Sequence, residues 1–180
     1  MEAVDRLLAG LPLNGHRRQY LLPVLHAIQD RKGWISPGAL NYACQRLEVP
    51  PAEAFGVADF YALFQTRHHP PVTVHVCDDI ACHARGAEAL CAEVETALGT
   101  EGESRDGHVT WHRSPCLGLC ERAPAALVVA AGDPPRDQAL APATSGDILS
   151  AAVGVAIPQP DLAASVPQAG QSGLKLLARA

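Results

Sequence analysis

The chain has 180 residues, of which 48% are hydrophobic, and a formal net charge of −5. An acidic balance without a basic stripe argues against a nucleic-acid partner, and no apolar run approaches the roughly 20 residues that a membrane span needs. The N-terminus lacks the features of a secretory signal, so the six cysteines are expected in a reducing, cytoplasmic setting, where metal or redox roles outrank disulfides.

Residues 1–70 have a helical pattern that predicts a small bundle. One helix is expected from about Tyr20 to just before Gly33, because apolar residues recur there at helical spacing: Leu21, Val24, Leu25 and Ile28. Ser36 and Pro37 supply an N-cap and a first-turn proline for a second helix. Cys44 lies on the apolar face of that helix and is interpreted as a core residue. A third helix follows Pro50 and carries Phe55, Val57, Phe60 and Tyr61.

The segment from His68 to Pro71 is interpreted as a polar linker, after which the apolar period changes to two. Val72, Val74 and Val76 alternate with polar residues, which predicts a strand that leads directly into Cys77. His75 is expected on the opposite face from these valines, and not as a metal ligand.

A helix is predicted from His83 to Leu98, with Cys91 in its apolar stripe and therefore in the core. A second strand, 109–113, leads towards Cys116. A third strand is expected at 125–130 and a short fourth at about 138–141. Thr144 and Asp147 form a capping-box pattern that opens a helix at 145–153.

This order of elements predicts an α+β fold with a thioredoxin-like sheet. Strands joined by a crossover helix are expected to be parallel, so the loops that follow the first two strands should lie at the same sheet edge. The chain is accordingly divided into a helical bundle at 1–70, a thioredoxin-like domain at 71–154, and a linker or docking tail at 155–180.

The same edge should bring together four cysteines: Cys77, Cys82, Cys116 and Cys120. Four residues separate the first pair and three separate the second. Thiolates select zinc or iron–sulfur clusters, and a wide first spacing is typical of ferredoxins that hold two irons, whereas zinc sites more often use two intervening residues. The spacing favours a [2Fe–2S] cluster and leaves zinc as the alternative.

Other residues near these cysteines suggest how the site is tuned. Gly118 frees the backbone to direct N–H groups at sulfur, and Gly86 is expected to act similarly near the start of the following helix. Acidic residues should oppose reduction of a negatively charged cluster and basic ones should offset them, unless all are solvated surface charges: Asp78, Asp79, Glu121, Arg85, Arg113 and Arg122.

The motifs together resemble a known family, the E-type, thioredoxin-like [2Fe–2S] subunits of NADH dehydrogenases and of related NAD-linked formate dehydrogenases and hydrogenases. The resemblance rests on the two cysteine pairs, on Arg85-Gly86-Ala87, on Ala123-Pro124-Ala125, and on the upstream segments 22–29, 33–37 and 56–61. It covers about residues 17–153. Asp78 and Asp79 depart from the family, because those positions are usually uncharged or hydroxylic.

The resemblance implies an electron-transfer subunit with one [2Fe–2S] cluster and no active site of its own. It further implies a partner protein or fused domain that binds FMN and NAD(H), further iron–sulfur subunits, and no direct insertion into a membrane, whether or not the complex is attached to one. The helical bundle and exposed aromatics such as Trp34 and Tyr61 are expected to contact this partner. A zinc-stabilised binding or scaffold module on the same fold is the alternative function.

The last residues allow two interpretations. Residues 155–180 have the composition of a linker, with small residues, proline and no aromatic side chain. Leu174 and the residues after it resemble the opening helix of a flavin-binding protein, so the segment is either a docking tail or the start of a fused flavin domain.

Overall fold

A computed structural model of the chain describes residues 2–10 and 17–159 and shows a mixed α+β architecture. Four helices precede a single four-stranded sheet: α1 (Glu2–Ala9), α2 (Leu21–Lys32), α3 (Pro37–Leu47) and α4 (Pro51–Phe60). The strands and α-helices that follow are β1 (Val72–Cys77), α5 (Ile80–His83), α6 (Ala87–Leu98), β2 (Val109–Ser114), β3 (Ala126–Ala130), β4 (Arg136–Leu140) and α7 (Ser145–Ala152), and two short 3₁₀ helices lie at Arg17–Tyr20 and Cys120–Arg122.

The ends of the early helices follow from their capping residues. α2 ends at Gly33, which adopts the left-handed conformation expected of a C-cap. α3 begins after Ser36, whose Oγ accepts a hydrogen bond from the Ala39 N–H at 3.2 Å. α1 to α4 enclose a common apolar core, and Cys44 lies in it with 4% of its surface exposed. The predicted core position of Cys44 is therefore confirmed.

α4 turns its small residues inward and its large ones outward. Ala54 and Ala58 are fully buried against the other helices, whereas Phe55 is 50% exposed and Phe60 is 80% exposed. The sequence placed these phenylalanines on the helix without indicating which face they share. Because close packing of α4 leaves room only for alanine, its aromatic side chains remain at the surface.

The sheet has the strand order β2-β1-β3-β4, as a thioredoxin-like topology requires. β1 is parallel to β2, with Val72 opposite Val109 and Cys77 opposite Ser114. β3 is antiparallel to both β1 and β4. The predicted parallel pairing of the first two strands is therefore correct.

One face of the sheet holds the main apolar core. The three valines of β1 pack there with residues of α6 and α7, among them Leu90, Cys91, Val94 and Ile148. Cys91 is fully buried, as predicted from its place in the apolar stripe of the helix. α7 begins as the capping box predicts, because the Thr144 side chain accepts a hydrogen bond from the Asp147 N–H at 3.1 Å.

The predicted single helix from His83 to Leu98 is wrong in its first part. The chain forms a short helix, α5, and then begins α6 only at Ala87. Asp79 starts α5 by accepting a hydrogen bond from the Ile80 N–H at 2.7 Å, and Gly86, with φ of 93°, breaks the helical path. A left-handed residue cannot continue an α-helix, which explains the interruption.

Every residue of β1 is buried, which shows that the opposite face of the sheet is also covered there. His75 lies there, away from the valines as predicted, in a group that we call the histidine stack: His69, His75 and His112. The His112 ring stacks on His69 with centroids 5.2 Å apart and on His75 at 6.4 Å. The predicted polar linker thus contributes His69 to a packed surface.

The helices α1 and α2 meet the sheet at the end away from Cys77. The Gly132 N–H, in the turn after β3, donates to the Asp30 carbonyl at 2.9 Å. Asp133 in the same turn pairs with Arg31 at 2.9 Å and with Arg6 at 3.8 Å. Because Ala130 is opposite Val72, this junction lies at the far end of β1, and the cysteine end is left uncovered by these two helices.

The histidine stack predicts a loss of stability in mild acid. Burial first, and neighbouring histidines second, lower the pKa of His69 and His75 from 6.5 to about 4. The unfolded chain therefore binds protons that the folded chain does not, and stability should fall as the pH falls from about 6.5 to 4. For the well-buried His75 the loss at pH 5 is about 2 kcal/mol.

Urea unfolding followed by circular dichroism between pH 7 and pH 5 measures this loss. His75→Gln should flatten part of the pH dependence, whereas His108→Gln, a change at an exposed histidine, should not. A pH dependence that is equally steep in wild type and His75→Gln would contradict the prediction.

Candidate metal centre

Two loops that carry cysteines leave the sheet side by side. β1 ends at Cys77 and continues into the short helix that carries Cys82, while β2 ends at Ser114, two residues before Cys116. The two strands are parallel neighbours, so their loops emerge at the same edge. Backbone hydrogen bonds fix the start of the first loop, because Cys77 N–H donates to the Ala125 carbonyl at 2.9 Å and Asp78 N–H donates to the Ser114 carbonyl at 3.1 Å.

All four predicted cysteines line one cavity of about 300 Å³. The Sγ atoms of Cys116 and Cys120 lie 3.3 Å apart. Cys77 and Cys82 are almost completely buried, whereas Cys116 and Cys120 are exposed. The rest of the lining is mostly small or apolar: Asp79, Ile80, Ala81 and Ala84. The structure therefore brings the four thiols together, with one pair inside the fold and the other at its surface.

Two of the four thiols, Cys82 and Cys120, have raised pKa values. Burial raises the pKa of Cys82 to about 11, and a hydrogen bond with Cys77 adds to the effect. The pKa of Cys120 is raised chiefly by its hydrogen bond with Cys116. Crowded thiols oppose ionisation because the thiolate charges would repel each other. A cationic metal centre removes this repulsion and displaces the protons, so the donor set fits a group that binds four thiolates.

Gly118 shapes the second loop around a sulfur atom. Its φ is 78°, in the left-handed region that favours glycine, and its N–H donates to the Cys116 Sγ at 3.4 Å. The flanking Leu117 and Leu119 pack against the apolar residues behind the cysteines. At Gly86 the N–H donates to the His83 carbonyl at 3.2 Å, so this glycine makes the turn between α5 and α6, and its part in cofactor binding stays a prediction.

The charged side chains near the cysteines are largely engaged with one another. Arg113 contacts Asp78 at 2.6 Å, and this contact is the main reason why the pKa of the Asp78 carboxyl is below its usual value, with His83 contributing next. Asp79 caps α5, and Glu121 pairs with Arg122 at 3.1 Å. From the sequence, each of these charges was expected to act separately on the cluster. The structure shows that several of them form ion pairs with one another.

A thioredoxin-like sheet with four thiols at one end defines a class of protein that binds a metal or an iron–sulfur cluster through cysteines. Residues 4–149 match the family described as thioredoxin-like [2Fe–2S] ferredoxin. This match covers most of the chain, which therefore belongs to that family, and its cofactor is a [2Fe–2S] cluster. The resemblance seen in the sequence is confirmed.

Similar proteins are named as the E subunit of NADH-quinone oxidoreductase. The one from Aquifex aeolicus is 35% identical over 114 residues, which are 62% of this chain and 71% of that protein. The one from Mycobacterium bovis is 31% identical over 114 residues, which are 62% of this chain but 45% of that protein. The chain thus spans less than half the length of the mycobacterial relative.

A solved structure of an NAD⁺-reducing [NiFe]-hydrogenase in the air-oxidised state has the same fold. The match has a TM-score of 0.59 at 23% identity and covers 86% of this chain and 25% of that one. The chain is therefore similar in sequence to subunits of NADH-quinone oxidoreductase and similar in fold to a chain of the hydrogenase. Within residues 2–10 and 17–159, the structure has no helix long and apolar enough to cross a membrane.

Substitution of single cysteines tests the role of the four thiols. Cys116→Ser should remove most of the visible absorption of the purified protein, because a hydroxyl is a poor ligand for iron. Cys91→Ser is the control, since Cys91 is buried among α6 and sheet residues away from the cavity. The measurement is the visible spectrum, normalised to protein, together with iron and labile sulfide. Equal loss in both variants, or no loss in Cys116→Ser, would contradict the assignment.

Proposed function

We propose that this protein is an electron-transfer subunit of an NAD(H)-linked oxidoreductase complex, with its [2Fe–2S] cluster bound by Cys77, Cys82, Cys116 and Cys120. The observation that carries the proposal is the convergence of these four thiols in one cavity of a chain that belongs to a [2Fe–2S] family. When bound, the cluster supplies a one-electron redox centre. The chain itself holds it, shields one side and directs the Gly118 N–H at sulfur.

The uneven burial of the cysteines suits electron exchange. Cys77 and Cys82 lie inside the fold, while Cys116 and Cys120 reach the surface. Ile80, 84% exposed, stands at the rim of the cavity. A redox partner can therefore approach the second pair of ligands without opening the fold. Dithiol exchange is not favoured, because the sequence has no Cys-x-x-Cys motif.

The partner is proposed to be a protein or fused domain that binds FMN and NADH, with further iron–sulfur subunits beyond it. This part of the proposal is supported by the names of the relatives, NADH-quinone oxidoreductase and NAD⁺-reducing hydrogenase. In this scheme residues 71–154 carry the cluster, and residues 1–70 and 155–180 serve docking. The separate apolar core of α1 to α4 supports the division at the linker.

The exposed aromatic side chains in α4 and directly after it mark the docking surface that we propose for this partner. Phe55, Phe60 and Tyr61 are between 44% and 80% exposed, and Leu22 and Leu63 add exposed apolar surface. Aromatic residues are enriched at protein interfaces. Trp34, expected at the surface, is only partly exposed because its ring packs edge-on against His68 at 5.4 Å. Tyr61, the other aromatic residue expected at the partner surface, is 44% exposed, so we assign the anchor role to Phe55, Phe60 and Tyr61 and not to Trp34.

The first residues of the proposed tail pack on the sheet. Gln138 of β4 donates a hydrogen bond from its side chain to the Ile157 carbonyl at 2.8 Å, and the Gln159 side chain accepts one from the Ala141 N–H at 3.0 Å. Ile157 also contacts the main core. Residues 160–180, including Leu174, lie outside the described residues, so both interpretations of that segment stay predictions.

Binding to the partner tests the docking surface. Phe60→Ser should weaken binding to an FMN- and NADH-binding partner at least tenfold, because it removes the most exposed large anchor. Val153→Ser, which removes another highly exposed apolar side chain outside α4, is the matched control. Affinity is measured by calorimetry with the full chain and with residues 1–159, a truncation that keeps the contacts of Ile157 and Gln159.

The redox role has its own measurement. NADH and the partner together should bleach the visible absorption of the cluster, and neither should do so alone. Unchanged affinity in Phe60→Ser would overturn the docking surface, and a cluster that stays oxidised in the presence of NADH and a bound partner would overturn the electron-transfer role.

A further inference from the structure

We propose that Arg113 is the positioning residue of the metal centre, a guanidinium that ties the first cysteine loop to β2, the strand that leads into the second, and offsets the negative charge beside them. The inference rests on the proposed function, because the loops in question are those assigned to the cluster. Arg113 lies near the end of β2, three residues before Cys116, and its side chain reaches across to the loop that follows Cys77.

The contacts of Arg113 have the geometry of a strong ion pair. Its Nη1 lies 2.6 Å from Asp78 Oδ2. Both terminal nitrogens contact the Glu88 carboxylate, at 2.8 and 2.9 Å, in a two-pronged arrangement. Paired hydrogen bonds of this kind fix the guanidinium plane as well as its position. The Arg113 side chain is only 32% exposed and that of Asp78 only 25%, so solvent competes less than at an open surface.

Each carboxylate comes from a different part of the fold. Asp78 directly follows the ligand Cys77, and Glu88 lies in the first turn of α6. Glu101, in the connection between α6 and β2, accepts a hydrogen bond from the Arg113 N–H at 2.8 Å. Arg113 therefore joins the first cysteine loop, α6 and the strand that carries the second loop. Among the contacts that the structure describes, the Arg113 side chain thus connects the residue after Cys77 with the strand that leads to Cys116.

The backbone supplies one part of this connection, and the Arg113 side chain supplies another. Asp78 N–H donates to the Ser114 carbonyl at 3.1 Å, which anchors the loop where it begins. The side-chain contact with Arg113 holds the same residue from the outside and limits how far the loop can open. Loss of the guanidinium would leave the Asp78 carboxylate with the His83 contact, which is longer, at 3.3 Å.

The contact between Arg113 and Asp78 also compensates negative charge next to the cluster ligands. Asp78 is adjacent to a ligand of a negatively charged cluster, and an uncompensated carboxylate there disfavours an added electron. Arg113 supplies the compensating charge. Asp78, His83 and Glu88 also place their ligand atoms within 4.8 Å of one another, as in some metal sites. Because Arg113 already contacts two of the three, we assign the group to an ion-pair network and not to a second metal.

Loss of iron to a chelator tests the positioning role. Arg113→Gln should lose iron about tenfold faster than wild type, and Asp78→Asn should also lose it faster, because each removes one end of the same contact. The double variant should be no faster than the faster single variant. Arg31→Gln is the matched control, since Arg31 is also ion-paired but at the opposite end of the sheet. Wild-type rates in Arg113→Gln and Asp78→Asn, or fully additive effects, would overturn the inference.

A redox titration followed by EPR separates charge from geometry. At the potential where half of the wild-type clusters are reduced, the reduced-to-oxidised ratio should fall about fivefold in Arg113→Gln. Arg113→Lys should restore most of this ratio but not the slow iron loss, because lysine keeps the charge and lacks the two-pronged contact. A ratio in Arg113→Gln equal to wild type would overturn the charge role. A wild-type protein that binds no cluster would overturn the proposed function. A wild-type protein that binds the cluster, with no effect of the Arg113 variants, would overturn only the inference about Arg113.

Discussion

The parallel pairing of β1 with β2 is the constraint on which the metal centre depends. Parallel neighbours deliver their following loops to the same edge of the sheet, so cysteines that are 34 residues apart in sequence, Cys82 and Cys116, meet without a long excursion of the chain. The register places Cys77 opposite Ser114, so both loops begin at the same level of the sheet, and the first pair of cysteines is buried while the second pair is exposed. The position of the four thiols at one edge of the sheet thus follows from the strand order.

The rest of the architecture keeps that edge available. Helices α6 and α7 bury the valine face of the sheet, and the histidine stack lies on the other face. Helices α1 and α2 attach at the turn after β3, through Arg31 and Asp133, at the end remote from the cysteines. One end of the sheet therefore contacts the helices α1 and α2, and the other end carries the four thiols. This polarity suits a protein whose cofactor must be reached by a partner while its core stays closed.

The sequence predicted the elements whose signals are local. Alternating valines predicted β1, capping residues predicted the starts of α3 and α7, and the strand order predicted that the four cysteines would lie together. The break at Gly86 was missed because a single glycine is compatible with a helical pattern, and its left-handed conformation cannot be read from the sequence. The sequence placed Phe60 on a helix but did not show that it is exposed, because periodicity cannot tell which face of α4 packs against the other helices. The bridge made by Arg113 depends on contacts between distant residues, and no local pattern indicates it.

The most direct test of the account is the metal and sulfide content of the purified full chain, measured together with the EPR spectrum after reduction by dithionite. Four thiolates in one cavity predict about two irons and two labile sulfides per chain, and a rhombic signal from a single reduced two-iron cluster. One zinc per chain with no labile sulfide and no EPR signal would contradict the account, because the same four thiols would then hold a structural ion without a redox role.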